Sequence, residues 1–107
     1  MVALYNAYFY FIKMKLNLEH KNALVCGSTQ GIGKATAIAL ASEGVIVTLL
    51  ARNESKLKEV IKQLPNAQNH DYIVADFMNP EVLKSNVENY ILQNHGFHIL
   101  VNNTGGP

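Results

Sequence analysis

The chain has 107 residues, 49% of them apolar and 16% charged, with a formal net charge of +1. That balance describes one folded globular domain and excludes an intrinsically disordered chain. A nucleic-acid footprint would need a clustered basic face, which the sequence lacks. Cys26 is the single cysteine, which excludes a disulfide framework within one chain and fits a reducing cytosol, so a cytoplasmic location is expected.

Residues 1–13 read as an extension of doubtful nativeness. They hold most of the aromatic side chains, in Met-Val-Ala-Leu-Tyr-Asn-Ala-Tyr-Phe-Tyr-Phe-Ile-Lys. The apolar stretch is shorter than the roughly 20 residues a membrane-spanning helix needs. No basic residue precedes it and no small-residue cleavage site follows, so it does not read as a signal peptide. Met14 is expected to be the native start, with 14–107 as the domain proper; a membrane-surface anchor is the alternative role for residues 1–13.

From Asn22 the pattern alternates regularly. Ala23–Cys26 is a short apolar run closed by Gly27, a buried strand, with Cys26 a small buried hydrophobe. Ile32–Ser42 is an alanine-rich helix whose inward face is expected at Ile32, Ala35, Ile38 and Ala39. Gly44 stands where a helix-terminating glycine belongs. Val45–Leu50 is a β-branched second strand. Asn53 can cap a helix carrying Leu57, Val60, Ile61 and Leu64, which Pro65 ends. Tyr72–Ala75 is a third strand. Asn79-Pro80 starts a third helix with Val82, Leu83, Val87, Tyr90 and Ile91 as its apolar stripe. Ile99–Val101 is a fourth strand. His95 and His98 are three apart with Gly96 between them, which suits a loop better than a metal site.

The resulting β-α-β-α-β-α-β series, with short connections, predicts a doubly wound parallel α/β sheet of Rossmann type, truncated. Right-handed crossovers predict the strand order 3-2-1-4. The fourth strand would then have an open apolar edge needing a partner to cover it.

The most informative segment is Gly27-Ser28-Thr29-Gln30-Gly31-Ile32-Gly33, between the first strand and the first helix. Gly27 permits a sharp turn, Gly31 a close approach of backbone to a pyrophosphate, and Gly33 tight helix–strand packing. The helix N-terminus offers unpaired N–H groups to phosphates. A P-loop is excluded because Ser28 stands where its first glycine should be and Ala35 replaces the Mg²⁺-binding hydroxyl. At the end of the second strand, NAD binding would call for a carboxylate. Ala51-Arg52-Asn53 stand there instead. A guanidinium at that point suits the 2′-phosphate of NADP(H), with NAD(H) the less favoured cofactor. Arg52 as a merely solvated residue is the alternative.

The spacing Gly-x-x-x-Gly-x-Gly resembles the glycine motif of the short-chain dehydrogenases/reductases, with Cys26 where that family usually has Thr. Two further segments carry the resemblance. Asp76-Phe77 follows the third strand, where the family's Asp contacts the adenine amino group; an ordinary turn acid is the alternative. Asn102-Asn103-Thr104-Gly105 resembles the family's Asn-Asn-Ala-Gly. There the resemblance implies that Asn103, Thr104 and Gly105 lie along the cofactor, while Asn102 has a largely structural role. Gly105-Gly106-Pro107 is similar to members related to 3-oxoacyl-carrier-protein reductases. The resemblance covers roughly Lys15 to Pro107 and implies an NADP(H)-dependent oxidoreductase that moves hydride between carbonyl and alcohol, usually as a homo-oligomer. The cofactor-binding set it implies is Gly27, Ser28, Thr29, Gln30, Gly31, Ile32, Gly33, Arg52, Asn53, Asp76, Phe77, Asn103, Thr104 and Gly105.

The family's catalytic Tyr, the Lys four residues after it, and its Ser and further Asn have no counterpart in these 107 residues. None of Tyr5, Tyr8, Tyr10, Tyr72 or Tyr90 is followed four residues later by Lys. No catalytic residue and no metal ligand is therefore assigned. The expectation is the cofactor-binding part of a reductase, with a stand-alone dinucleotide-binding module or a non-functional fragment as alternatives.

Overall fold

The structure, a computed structural model, describes residues 3–5 and 18–103. The proposed start at Met14 and the site positions Thr104 and Gly105 lie outside the described residues. Among the described residues, five strands form one parallel sheet: β1 (Ala3–Tyr5), β2 (Asn22–Cys26), β3 (Ile46–Ala51), β4 (Asp71–Val74) and β5 (Ile99–Asn102). The α-helices among the described residues are α1 (Gly31–Ser42), α2 (Glu54–Gln63) and α3 (Pro80–Gln93). The order across the sheet is β1-β5-β2-β3-β4. The four strands expected from the sequence thus stand in the expected 3-2-1-4 order.

The edge of β5 expected to be open is not bare. Ala3, Leu4 and Tyr5 pair in parallel with Ile99, Leu100 and Val101. Part of the segment read as an extension is therefore a strand of the sheet. Adjacent parallel strands need not be neighbours in sequence, and a three-residue strand leaves almost no period for a sequence pattern to reveal.

Alternation along each strand divides the interior in two, because successive side chains point to opposite faces. Ala23 and Val25 of β2, Val47 and Leu49 of β3, and Ile99 and Val101 of β5 face α1 and α2, where they meet Leu40, Leu57 and Val60. Leu24, Cys26, Leu50 and Ile73 face α3, packing with Leu83, Val87 and Tyr90. Strands covered on both faces read as unbroken apolar runs, which is what β2 and β3 show. Burying a leucine such as Leu49, Leu50 or Leu57, none more than 1% exposed, contributes about 1.5–3 kcal/mol.

The inward face of α1 differs from the expected one. Gly33, Thr36, Ala37, Leu40 and Ala41 are buried, whereas Ile32 is 55% exposed. Ala and Ile surround this helix, so no single stripe stands out. Its orientation is set instead by the close approach at Gly33. Helix α2 follows its pattern better, burying Leu57 and Val60 with Leu64 just past its end. A short 3₁₀ turn at Ala67–Asn69 follows a left-handed Asn66, a feature that the sequence pattern did not show. Two histidines close the bottom of the sheet. His98 Nδ1 accepts from the Asn22 N–H at 3.0 Å, at the start of β2. His70 Nδ1 accepts from the Val47 N–H at 2.9 Å in β3, and its Nε2 lies 2.7 Å from the Pro65 carbonyl oxygen.

Candidate dinucleotide site

At the C-terminal ends of the strands, β2 leads to β3 on one side while β5 returns on the other. This reversal leaves a crevice above β2, the usual place for a ligand in an open α/β sheet. A cavity of about 780 Å³ occupies it. Its floor and near wall are the loop residues Gly27, Thr29, Gln30, Gly31 and Ile32. Arg52, Asn53, Lys56, Asp76, Phe77, Met78 and Asn103 also line it. The ladder runs one residue beyond the strands, with the Gly27 N–H donating to Leu50 O and the Ala75 N–H to Ala51 O, both at 3.0 Å. That places the loops at one level around the opening.

Ten of the residues expected from sequence border this space: Gly27, Thr29, Gln30, Gly31, Ile32, Arg52, Asn53, Asp76, Phe77 and Asn103. Ser28 and Gly33 do not. Ser28 is fully buried behind the loop, and its Oγ has no hydrogen-bond partner among the described residues. Gly33 is buried too, and a Cβ there would overlap the Gly27 carbonyl oxygen and stand 2.9 Å from Asn103 Nδ2. Its role is to let α1 approach the loop, as expected. Gly31 has φ +59°, and a Cβ there would meet open space, so only its backbone conformation demands glycine.

The two helix N-termini at the cavity differ. Asn53 caps α2: its Oδ1 accepts from the Lys56 N–H at 3.1 Å and from Ser55 Oγ at 2.9 Å. Gln30 at the start of α1 makes no side-chain cap, and no acidic residue lies in the first turn. The first N–H groups of α1 therefore remain for another acceptor, and an open space lies in front of them. Uncapped donors, a glycine cradle and flanking cations fit the pyrophosphate and phosphate groups of a dinucleotide.

Charge is distributed unevenly around the cavity. Among the described residues the ion pairs are Lys62–Glu59 and Lys84–Glu88; Arg52 and Lys56 belong to neither. Asp76 follows the neighbouring strand β4 and borders the same cavity, and its Oδ1 accepts from the Met78 N–H at 2.9 Å. The turn role considered for Asp76 is thus realised in a residue that also borders the cavity. Lys56, Met78, Ala51 and Ala75 line the space but were not among the residues expected from sequence. Lys56 could have been found by counting one turn along from Arg52.

The groups that could serve as acids or bases lie elsewhere. Burial pushes the Cys26 thiol up to about 11, leaving it inert in the second core. The Tyr72 hydroxyl donates to Glu54 Oε2 at 2.9 Å, and that bond is the main reason its pKa is raised. The Tyr90 oxygen is 3.3 Å from Thr48 Oγ1, and burial raises its pKa. None of the three lines the cavity. His95 packs edge-on to the rings of Tyr90 and Phe97. Among the described residues no group of three or more potential metal ligands comes together, and no helix is long and apolar enough to cross a membrane.

Comparison with known proteins agrees with this architecture. The short chain dehydrogenase family model matches residues 21–107. An uncharacterized oxidoreductase of Schizosaccharomyces pombe is 39% identical over 92 residues, covering 83% of this chain and 27% of the yeast protein. The L-sorbose reductase of Gluconobacter frateurii, solved with NADPH and L-sorbose, superposes with a TM-score of 0.73 at 31% identity, over 85% of this chain and 36% of the reductase. A variant of actinorhodin polyketide ketoreductase solved with NADPH gives a TM-score of 0.72 at 32% identity, over 82% of this chain and 34% of that one. The chain thus spans about a third or less of the length of these proteins. With the family model matching from β2 onward and the glycine crevice in place, the chain belongs to the short-chain dehydrogenase family.

Proposed function

We propose that this chain is the NADP(H)-binding portion of an oxidoreductase that transfers hydride between a carbonyl and an alcohol. The observation that carries the cofactor choice is Arg52. It stands at the end of β3 beside the cavity, in no ion pair among the described residues, where NAD binding would call for a carboxylate. A guanidinium there is matched to a phosphate in charge and in hydrogen-bond geometry. The NADPH in two structurally similar reductases supports the same reading.

In this reading the bound cofactor supplies the hydride chemistry, and the residues here hold its adenosine and phosphate end. The α1 N-terminus and the Gly27–Gly33 loop receive the pyrophosphate, Arg52 the 2′-phosphate, and Asp76 and Phe77 the adenine side. Thr104 and Gly105 belong to the same proposed set. The sequence has no Tyr followed four residues later by Lys, so binding without turnover is the expected behaviour of these 107 residues alone. A stand-alone binding module is the second reading. It is favoured by β1, which gives β5 a strand neighbour from within the chain.

Titration with NADPH and NADH tests the proposal. NADPH should bind about tenfold or more tightly, the value of a charged hydrogen bond, and Arg52→Ala should remove the difference. Equal affinities in the unmodified chain would refute the cofactor choice.

A further inference from the structure

Arg52 is not alone on its side of the cavity. Lys56, one turn along in α2, lines the same space and also takes part in no ion pair among the described residues. Its backbone N–H is held by the Asn53 cap at 3.1 Å, which fixes the first turn of α2 against the cavity. The same turn contains Glu54, an exposed carboxylate that is absent from the cavity lining although Asn53 and Lys56 are both part of it. Glu54 is held elsewhere: its Oε2 accepts the Tyr72 hydroxyl at 2.9 Å. Tyr72 is packed against the α1/α2 side of the sheet, so the anchor is attached to β4.

The separation has an electrostatic consequence. A phosphate monoester carries about −1.5 to −2 charges near neutral pH, more than one guanidinium neutralises. A second cation within the same space answers the remaining charge. A free carboxylate in the same helical turn would oppose it.

We infer that Lys56 shares the 2′-phosphate of the cofactor with Arg52, and that Tyr72 is a positioning residue that keeps the Glu54 carboxylate away from this pair. The inference rests on the NADP(H) reading above and adds to it a second phosphate ligand and a tether. The Glu54 hydrogen bond that raises the Tyr72 pKa is the same tether seen from the tyrosine side.

Adenosine 2′,5′-bisphosphate and AMP are suitable probes, since they differ only in the 2′-phosphate. Their binding to the full chain can be followed by NMR titration. Lys56→Met should weaken the bisphosphate about threefold to fivefold, in the range of an exposed charge pair, with AMP unchanged. The loss should shrink at about 1 M salt, where the screening length falls to about 3 Å. Tyr72→Phe should weaken the bisphosphate about twofold, and adding Glu54→Gln should restore it. The three substitutions change only a surface charge or a single polar atom, and circular dichroism checks that the fold is intact. If the unmodified chain prefers the bisphosphate but Lys56→Met affects both probes equally or neither, the role of Lys56 is overturned while the NADP(H) reading stands. If the unmodified chain does not distinguish the probes, the NADP(H) reading falls and this inference with it. A Tyr72→Phe loss that Glu54→Gln does not repair overturns the tether.

Discussion

Asn103 and Gly33 are fitted against each other: a Cβ on residue 33 would stand 2.9 Å from the Asn103 amide nitrogen while overlapping the Gly27 carbonyl oxygen. The contact links β5, the glycine loop and α1 at one point. Gly33→Ala would usually favour a helix by about 0.5–1 kcal/mol. Here it must push the loop or the helix aside, and overpacking of this kind costs about 1–3 kcal/mol. The variant should have a lower midpoint of thermal unfolding and should lose dinucleotide binding. An unchanged midpoint with normal binding would contradict the packing role.

Gly31 makes the complementary case. It has φ +59° and nothing within 4 Å of an added Cβ. Gly31→Ala should therefore cost about 1–2 kcal/mol from backbone conformation alone. The measurement is a pair of denaturant titrations, which should place Gly31→Ala on the milder side of Gly33→Ala.

His70 ties the start of β3 to the turn after α2. Its Nδ1 accepts from the fully buried Val47 and its Nε2 reaches the Pro65 carbonyl. With Nδ1 accepting, the ring proton sits on Nε2 and is donated to Pro65. His70→Ala leaves the Val47 N–H unpaired, at a cost of about 1–3 kcal/mol. In a domain of this size, each 1 kcal/mol lowers the melting temperature by about 4–8 °C. His98 makes one such bond and is itself exposed, so water can replace it and His98→Ala should cost less. Thermal melts of the two variants check the order.

Cys26 gives a pH prediction. Burial raises its thiol from 9.0 to about 11. The folded state therefore holds the proton more tightly than the unfolded state. The associated stability is complete below pH 9 and is lost as pH rises from 9 towards 11. A shift of this size corresponds to about 2–3 kcal/mol. Tyr72 and Tyr90 are raised as well and act in the same direction, so the Cys26 share is the part that Cys26→Ala removes. Urea titrations at pH 8 and pH 10.5 should show a smaller alkaline loss for Cys26→Ala, and the native thiol should resist alkylation at pH 8.

Deleting residues 1–5 removes β1 and leaves the backbone groups of β5 on that side without the partner strand. Sheet edges of this kind invite association with other chains. Light scattering should show more aggregation, and hydrogen exchange at Ile99, Leu100 and Val101 should accelerate. If both stay unchanged, β1 does not contribute to the sheet in solution.

The sequence revealed β2 to β5, the helices between them and most of the cavity lining. Strand and glycine signals are local, and β2, the Gly27–Gly33 loop and the Asn53 cap are each specified within a few residues. Less legible features depended on distant partners. The buried face of α1 is set by contact with the loop and sheet, and Ala35 and Ala37 look alike until the helix is docked. Lys56 reads as a solvated helix residue until Arg52 is seen beside the same opening. Nothing near Ala3–Tyr5 in the sequence points to residues almost a hundred positions later. Asp76 was legible in place, but its carboxylate also serves its own turn through Met78.

The placement of β5 between β1 and β2 also constrains the order of assembly. Parallel neighbours lie about 4.8 Å apart, so β1 and β2 flank a slot about 9.6 Å wide that only residues 99–102 fill. During synthesis both walls of the slot emerge long before the strand that joins them. The sheet cannot zip up in chain order, because β5 must insert between two strands made earlier, a non-local event of the kind that makes folding slow.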